Sequence, residues 1–315
     1  MDIDIEKRAI MRISWRIAPF VIILYFVSFL DRVNIGFAAF SMNRDLGISS
    51  YAFGIGAGIF FIGYFLFEVP SNLILHKIGA RIWIARVMVT WGLISGAMAF
   101  VRGEHSFYVL RFVLGVAEAG FFPGIILYLT CWFPARYRAS VMALFMAAAP
   151  LSTALGSPLS GLLLEMHGLL GLRGWQWMFL IEAVPAVMLG VATFFYLTDR
   201  PEQASWLPEA ERDWLVATME AEKPATPRHA SHNPLAALAD IRVIALALIY
   251  FGTSAGLYTL GLWSPLIIRA FGLSSLATGF VNAIPAGISM VAMVAWARHS
   301  DRSGERVWHV VCPAC

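Results

Sequence analysis

Four ionisable side chains lie inside long apolar stretches of this sequence, where they could bind a proton or an anion. Asp31 and Arg32 are adjacent in one stretch, and Arg111 and Glu118 lie seven residues apart in another. A charge at bilayer depth costs roughly 2.5 to 3.5 kcal/mol on insertion scales, so such residues are rare and are functional by default. The acids could load and release protons, and the arginines could hold an anion.

Each pair also has a purely structural interpretation. Arg111 and Glu118 project from one helix face about 10 Å apart along the axis, and they could form an internal ion pair that only fixes packing. Asp31 and Arg32 could lie near the outer end of their helix and extend toward water. Neighbours on a helix point about 100° apart, so these two need different partners, one of which could lie on the helix that carries Glu118.

Further polar side chains could line the same cavity. Tyr64 begins a stripe at i, i+4 and i+8 with Glu68 and Asn72, which predicts one polar helix face directed into a bundle. Asn34 follows the first charged pair, and Tyr258 could face the cavity from a later stretch or simply pack. Small residues and a proline next to Glu118 predict close helix contact and a kink there; they are Gly115, Gly120, Pro123 and Gly124.

Membrane-spanning helices must position these residues. The chain is 59% hydrophobic and 14% charged, with a mean hydropathy of +0.71, whereas a soluble domain carries about 25% charged residues. Eight apolar stretches reach the roughly 20 residues that a helix needs to cross the hydrocarbon core. We predict an all-α membrane protein with helices near 17–40, 51–75, 82–101, 107–132, 139–164, 177–197, 243–268 and 276–297.

The basic residues between these stretches predict the orientation. With the N-terminus inside, seventeen Lys and Arg residues lie on the inner side and four on the outer side. Such a bias is typical of cytoplasmic loops. We therefore predict a multi-pass protein of the cytoplasmic (inner) membrane with a cytoplasmic N-terminus.

Two short inner segments repeat one pattern at a constant offset of 225 residues. Repeats are common in transporters, and we predict a six-helix bundle at 1–198, a cytoplasmic central loop at 199–242 and a partial second bundle at 243–315. On this offset the chain ends where a ninth helix begins, so we expect eight helices of a twelve-helix protein. The inner-segment residues are Lys77, Gly79, Arg81, Asp301, Arg302, Gly304 and Arg306.

These motifs resemble the major facilitator superfamily, and within it the anion:cation symporter family with its bacterial tartrate and organic-anion transporters. The resemblance covers nearly the whole chain, and it is carried by Tyr25–Gly36, Arg111–Gly124, Tyr128–Pro134 and Asp199–Glu202. The repeated inner segments are similar to the superfamily's gating loops. Asn72 and His76 depart from that pattern, which has Gly and Asp there.

The resemblance implies a helical bundle of the major-facilitator type that carries out proton-coupled symport of an organic anion by alternating access. The anion would be tartrate, a sugar acid or an aromatic carboxylate. Asp31 and Glu118 match the coupling acids, and Arg32 and Arg111 match the basic residues. We expect protonation of Glu118 to free Arg111 and protonation of Asp31 to free Arg32 for a substrate carboxylate. The alternative is a truncated, transport-inactive fragment of such a transporter.

The sequence lacks the signatures of other function classes. The seven histidines show no metal-ligand spacing, and there is no Walker motif, dinucleotide fingerprint or nucleophile–base pair. We therefore predict no enzyme activity, no metal and no cofactor. The net charge of +3 argues against a nucleic-acid partner, and Cys312-Pro-Ala-Cys315 has a redox spacing without the surrounding fold. The expected partners are the lipid bilayer, protons and a small organic anion, and we expect a monomer.

Overall fold

The computed structural model describes residues 2–222 and 240–303, together with residues 308 and 312. Within these ranges eight segments are long and apolar enough to cross a membrane, which confirms the predicted all-helical membrane fold. The α-helices described there are α1 (Asp2–Leu46), α2 (Ser50–Ile78), α3 (Ala80–Ala97), α4 (Glu104–Glu118), α5 (Phe121–Trp132), α6 (Ala135–Met146), α7 (Ala148–Leu164), α8 (Gly174–Tyr196), α9 (Glu209–Ala221), α10 (Ile241–Arg269) and α11 (Ser275–Ser303).

The first helix is much longer than its predicted span near 17–40. α1 begins at Asp2, and its first turns carry many charged residues. They nevertheless bury one stripe of the helix, because Ala9, Ile13 and Ile17 recur every four residues and are at most 1% exposed. The charges lie on the other faces, so the helix continues beyond its apolar span.

The fourth span is interrupted beside Glu118. α4 ends at this residue, and Gly120, with φ at +87°, separates it from α5. Pro123 explains the break, because it has no N–H for the Ala119 carbonyl and its ring would clash with that carbonyl in a continuous helix. Ser71 on α2 supplies the missing bond, since its hydroxyl donates to the Ala119 carbonyl at 2.7 Å. The predicted kink is confirmed.

The described part of the central segment packs against the first six spans. Leu215 of α9 is fully buried, and Glu211 pairs with Arg12 of α1 at 3.1 Å between Oε2 and Nε. Trp206 precedes α9 and stacks on Trp132 with ring centres 5.4 Å apart. These contacts attach α9 to the end of the first bundle that the charge pattern predicts to be cytoplasmic.

The two halves of the chain touch near the helix ends that the charge pattern assigns to the outer side. Gly36 of α1 leaves no room for a side chain, because a Cβ there would lie 2.8 Å from the Leu262 carbonyl oxygen of α10. A Cβ at Gly161 of α7 would lie 2.6 Å from the Ser275 carbonyl oxygen of α11. Small residues allow such close helix contacts. The contacts hold α10, with Tyr258, beside α1.

Candidate functional site

An ion pair between α1 and α4 forms the centre of the site. Nε of Arg32 donates to Oε1 of Glu118 at 2.8 Å, and Nη2 donates to the same oxygen. The hydroxyl of Ser28, one turn earlier on α1, approaches that oxygen at 3.4 Å. The side chains of Arg32 and Glu118 are 12% and 2% exposed, so the pair is almost completely removed from solvent.

Two tyrosines also lie against Arg32. Nη1 donates to the Tyr258 hydroxyl at 2.9 Å, and the guanidinium carbon lies 5.9 Å from the centre of that ring. Tyr64 on α2 places its ring centre 5.8 Å from the same carbon, within the range of a cation–π contact. Tyr258 lies on α10 and also packs on Phe61 of α2. Arg32 therefore lies where the two halves of the chain meet.

Asp31 is held by neutral donors and not by an arginine. The amide of Asn34 donates to its Oδ1 at 2.8 Å, and the Ser95 hydroxyl donates to that oxygen at 2.5 Å. The indole N–H of Trp91 donates to Oδ2. Trp91 and Ser95 lie one turn apart on α3, and Asp31 is 7% exposed. Three hydrogen bonds therefore occupy both oxygens of this acid.

Arg111 is buried without a carboxylate partner among the described residues. Its Nε donates to the Gly56 carbonyl at 3.4 Å, and its guanidinium lies over the Phe60 ring at 4.6 Å. No acidic oxygen within the described ranges lies within 4 Å of it. The site thus contains one cation that is neutralised by Glu118 and a second that rests on the backbone and an aromatic face of α2.

The expectation that Glu118 restrains Arg111 and that Asp31 restrains Arg32 is wrong. Arg111 and Glu118 stand two turns apart on one helix, which separates them by about 10 Å along the axis. Arg32 extends from α1 to the end of α4 and takes Glu118 instead. Asp31 points away from Arg32, as expected of helical neighbours, and so meets α3.

The first inner segment is fixed to the end of the sixth span. Lys77 lies in the last turn of α2, Gly79 ends that helix with φ at +99°, and Arg81 lies in the first turn of α3. Asp199 accepts the backbone N–H of Arg81 at 2.8 Å and pairs with its Nε at 3.5 Å. A Cβ at Gly79 would lie 2.9 Å from Asp199, so this contact requires glycine.

The second inner segment is described only in part. The backbone of Asp301 and Arg302 belongs to the last turn of α11. Their side chains, together with Gly304 and Arg306, lie outside the described residues, as does Cys315. Within the described ranges no three His, Cys, Asp or Glu side chains are grouped so that they could hold a metal ion.

Sequence reasoning missed the residues that hold the charged groups in place. Trp91 and Ser95 bind Asp31, Ser28 approaches Glu118, and Phe60 supports Arg111. Polar groups four residues apart in the third span were a usable signal for Trp91 and Ser95, because that spacing marks one helix face. A phenylalanine in an apolar helix carries no comparable signal.

Comparisons with known proteins identify the family of this arrangement. The profile of the Major Facilitator Superfamily matches residues 21–315. A protein of Agrobacterium vitis named "Putative tartrate transporter" is 72% identical over 311 residues, which cover 99% of this chain and 72% of the relative. The "Quinolone resistance transporter" of Acinetobacter baumannii is 46% identical over 311 residues, covering 98% of this chain and 71% of the relative.

A solved structure shares the helical architecture. It is a bacterial homologue of the human lysosomal transporter Spinster in an inward-facing and unoccupied conformation, with a TM-score of 0.72 and 16% identity. The match covers 92% of this chain and 63% of that one, so this chain spans less than two thirds of its length. At this identity the likeness concerns the fold. The relatives confirm the prediction of a transporter in place of an enzyme, and the chain belongs to the Major Facilitator Superfamily of multi-pass membrane transporters.

Proposed function

We propose that this protein carries out proton-coupled symport of a small organic anion across the cytoplasmic membrane. The substrate class is tartrate, a sugar acid or an aromatic carboxylate. The observation that carries the proposal is the position of Arg32, whose guanidinium is shared between the Glu118 carboxylate of one half and the Tyr258 hydroxyl of the other. This arrangement offers an anion site that a proton can open.

The coupling follows from competition for one guanidinium. While Glu118 is ionised, it occupies two donors of Arg32. Protonation removes its negative charge, and the planar fork of Arg32 then offers parallel N–H donors that match a carboxylate. A substrate carboxylate replaces the lost negative charge, whereas an empty site would leave a buried arginine unpaired. Proton and anion therefore enter together.

Arg111 supplies the second positive charge of the cavity. It lies on the same helix as Glu118 and has no carboxylate partner among the described residues. A fixed cation in a low-dielectric cleft raises the local concentration of anions. A dianion such as tartrate, with one carboxylate on Arg32, also gains from the field of this second arginine. Asn34, bound to Asp31, keeps the neighbouring acid in place.

Alternating access requires that both halves respond to the occupied site. Tyr258 connects Arg32 directly to α10 of the second half. The close contact of Gly36 with α10 joins the two halves toward the predicted outer side. We infer that loss of the Arg32–Glu118 pair also changes the contact with Tyr258, which links substrate binding to movement of α10. We propose a monomeric transport unit with a cytoplasmic N-terminus.

Counterflow in proteoliposomes tests the proposal. Vesicles that contain the purified chain and are loaded with unlabelled tartrate should take up radiolabelled tartrate. In vesicles without internal tartrate, a proton gradient that is acidic outside and alkaline inside should drive accumulation. Galactarate, phthalate and a quinolone as competitors define the substrate class, since one relative is named for quinolone resistance. Competition by the quinolone alone, with none by galactarate, phthalate or excess unlabelled tartrate, would refute the anion proposal.

The Glu118→Gln variant tests coupling separately from binding. It should retain counterflow, because Arg32 stays available to the anion, and it should lose accumulation driven by the proton gradient. Glu104→Gln is the matched control, because this acid is exposed in the first turn of the same helix. Proton-driven accumulation by Glu118→Gln at the level of the unmodified protein would exclude Glu118 as the coupling acid.

A further inference from the structure

A third buried acid lies outside the site described above. Glu182, in the middle of α8, is 3% exposed. Its Oε1 accepts a hydrogen bond from the Ser160 hydroxyl of α7 at 2.8 Å. Its Oε2 is also buried, and it has no hydrogen-bond partner among the described residues. One oxygen of this carboxyl therefore accepts no hydrogen bond from the described residues.

The charge balance around Glu182 differs from that around Glu118. Within the described ranges no Lys, Arg or His nitrogen lies within 4 Å of its oxygens. An ionised carboxylate at this position would be a buried charge without a counter-ion, which is strongly unfavourable. A proton on Oε2 removes that charge and leaves the Ser160 bond to Oε1 intact. The geometry accommodates a neutral carboxylic acid.

Glu182 occupies the same layer of the bundle as Asp31. Ser95 of α3 donates to Asp31, and a Cβ on the next residue, Gly96, would lie 3.2 Å from Cβ of Ala183. Asn34, which donates to Asp31, also neighbours the Glu182 carboxyl. Asp31 is the charged group that faces Glu182 from α1. On α7 the facing group is the Ser160 hydroxyl.

The three buried acids Asp31, Glu118 and Glu182 thus differ in the hydrogen bonds that their oxygens accept. Glu118 shares an oxygen with Arg32, and both oxygens of Asp31 are filled by donors. Glu182 is the one among these three with a fully buried oxygen that has no hydrogen-bond partner in the described structure. That oxygen can accept a proton without breaking a contact of the site, whereas a proton on Asp31 would disturb the bonds from Trp91 or Ser95.

We propose that Glu182 is a further proton-binding residue of this transporter, which loads a proton on Oε2 and releases it to water in each transport cycle. The proposal rests on the proposed proton-coupled function and extends it from Glu118 to the interface of α7 and α8. On loading, an O–H bond forms at Oε2 and the carboxylate charge disappears. On release, that bond breaks, and the proton leaves to water while the charge returns.

Infrared spectroscopy of the purified chain in lipid tests the proton site without requiring transport. The unmodified protein should show the carbonyl band of a protonated carboxylic acid, sensitive to deuterium exchange, and this band should decrease as the buffer is made alkaline. Glu182→Gln should lose the band, and Ser160→Ala should shift its frequency because the hydrogen-bond donor is gone. A band that persists unchanged in Glu182→Gln would overturn the assignment.

Transport in proteoliposomes tests the role in the cycle. Glu182→Gln, which imitates the protonated acid permanently, should retain tartrate counterflow and lose accumulation driven by a proton gradient. Glu165→Gln is the control, because this acid is exposed just after α7. Undiminished proton-driven accumulation by Glu182→Gln would overturn the cycling role. Absence of tartrate transport by the unmodified protein would instead refute the proposed function, and the infrared experiment would still decide the protonation of Glu182.

Discussion

Replacing Glu118 by glutamine should tighten tartrate binding at alkaline pH and remove the pH dependence of its Kd. In the structure two donors of Arg32 point at Oε1 of Glu118, at 2.8 Å from Nε and closer from Nη2. An incoming carboxylate must displace these charge-assisted bonds. Glutamine keeps the acceptor but lacks the charge, so we expect a gain of roughly 1.5 to 3 kcal/mol, or roughly tenfold to 150-fold in Kd. At acidic pH, with Glu118 protonated, the variant and the unmodified protein should bind tartrate equally.

Isothermal titration of the purified proteins in detergent, at one acidic and one alkaline pH, measures this difference. Glu104→Gln removes an exposed acid from the same helix and should bind like the unmodified protein at both pH values. Weaker binding by Glu118→Gln at alkaline pH, or a pH dependence equal to that of the unmodified protein, would refute competition between Glu118 and substrate for Arg32.

Three further variants test contacts of the site and of its scaffold. Tyr258→Phe keeps the ring but removes the hydroxyl that accepts a hydrogen bond from Arg32. Titration with tartrate should show about two- to tenfold weaker binding, equivalent to roughly 0.5 to 1.5 kcal/mol. An unchanged Kd would contradict the idea that Tyr258 positions Arg32 for the substrate. Gly115→Ala places a Cβ on a backbone carbonyl of α2 and should lower the free energy of unfolding by roughly 1 to 3 kcal/mol. Gly58→Ala, with open space around it, should leave this free energy unchanged. Equal thermal midpoints of unfolding for the two variants would exclude tight α2–α4 packing. Glu222→Gln weakens the acceptor of the first backbone N–H of α6 by about 0.3 to 1 kcal/mol. Limited proteolysis within α9 should therefore become faster than in the unmodified protein. An unchanged rate would show that the Glu222 contact does not hold the end of α9 against α6.

Several features of the fold were predictable because they depend on properties of short stretches of the chain, such as hydropathy and the position of proline. Hydropathy over about 20 residues identified the eight spans, since insertion depends on the apolar character of each segment. The kink beside Glu118 followed from Pro123, whose ring prevents a continuous helix whatever surrounds it. The length of α1 was underestimated, because its charged first turns were excluded from the apolar span although one of their faces is buried.

The same distinction holds for the site. The sequence by itself determined which residues are candidates for the proposed chemistry, because an acid or arginine at bilayer depth is costly enough to be rare. Only the tertiary structure decided which charges meet. Arg32 and Glu118 are 86 positions apart, and Asp31 and Ser95 are 64 apart. Their contacts depend on the rotation of α1 about its axis between α3 and α4, which the packing of complete helices sets and no local pattern specifies.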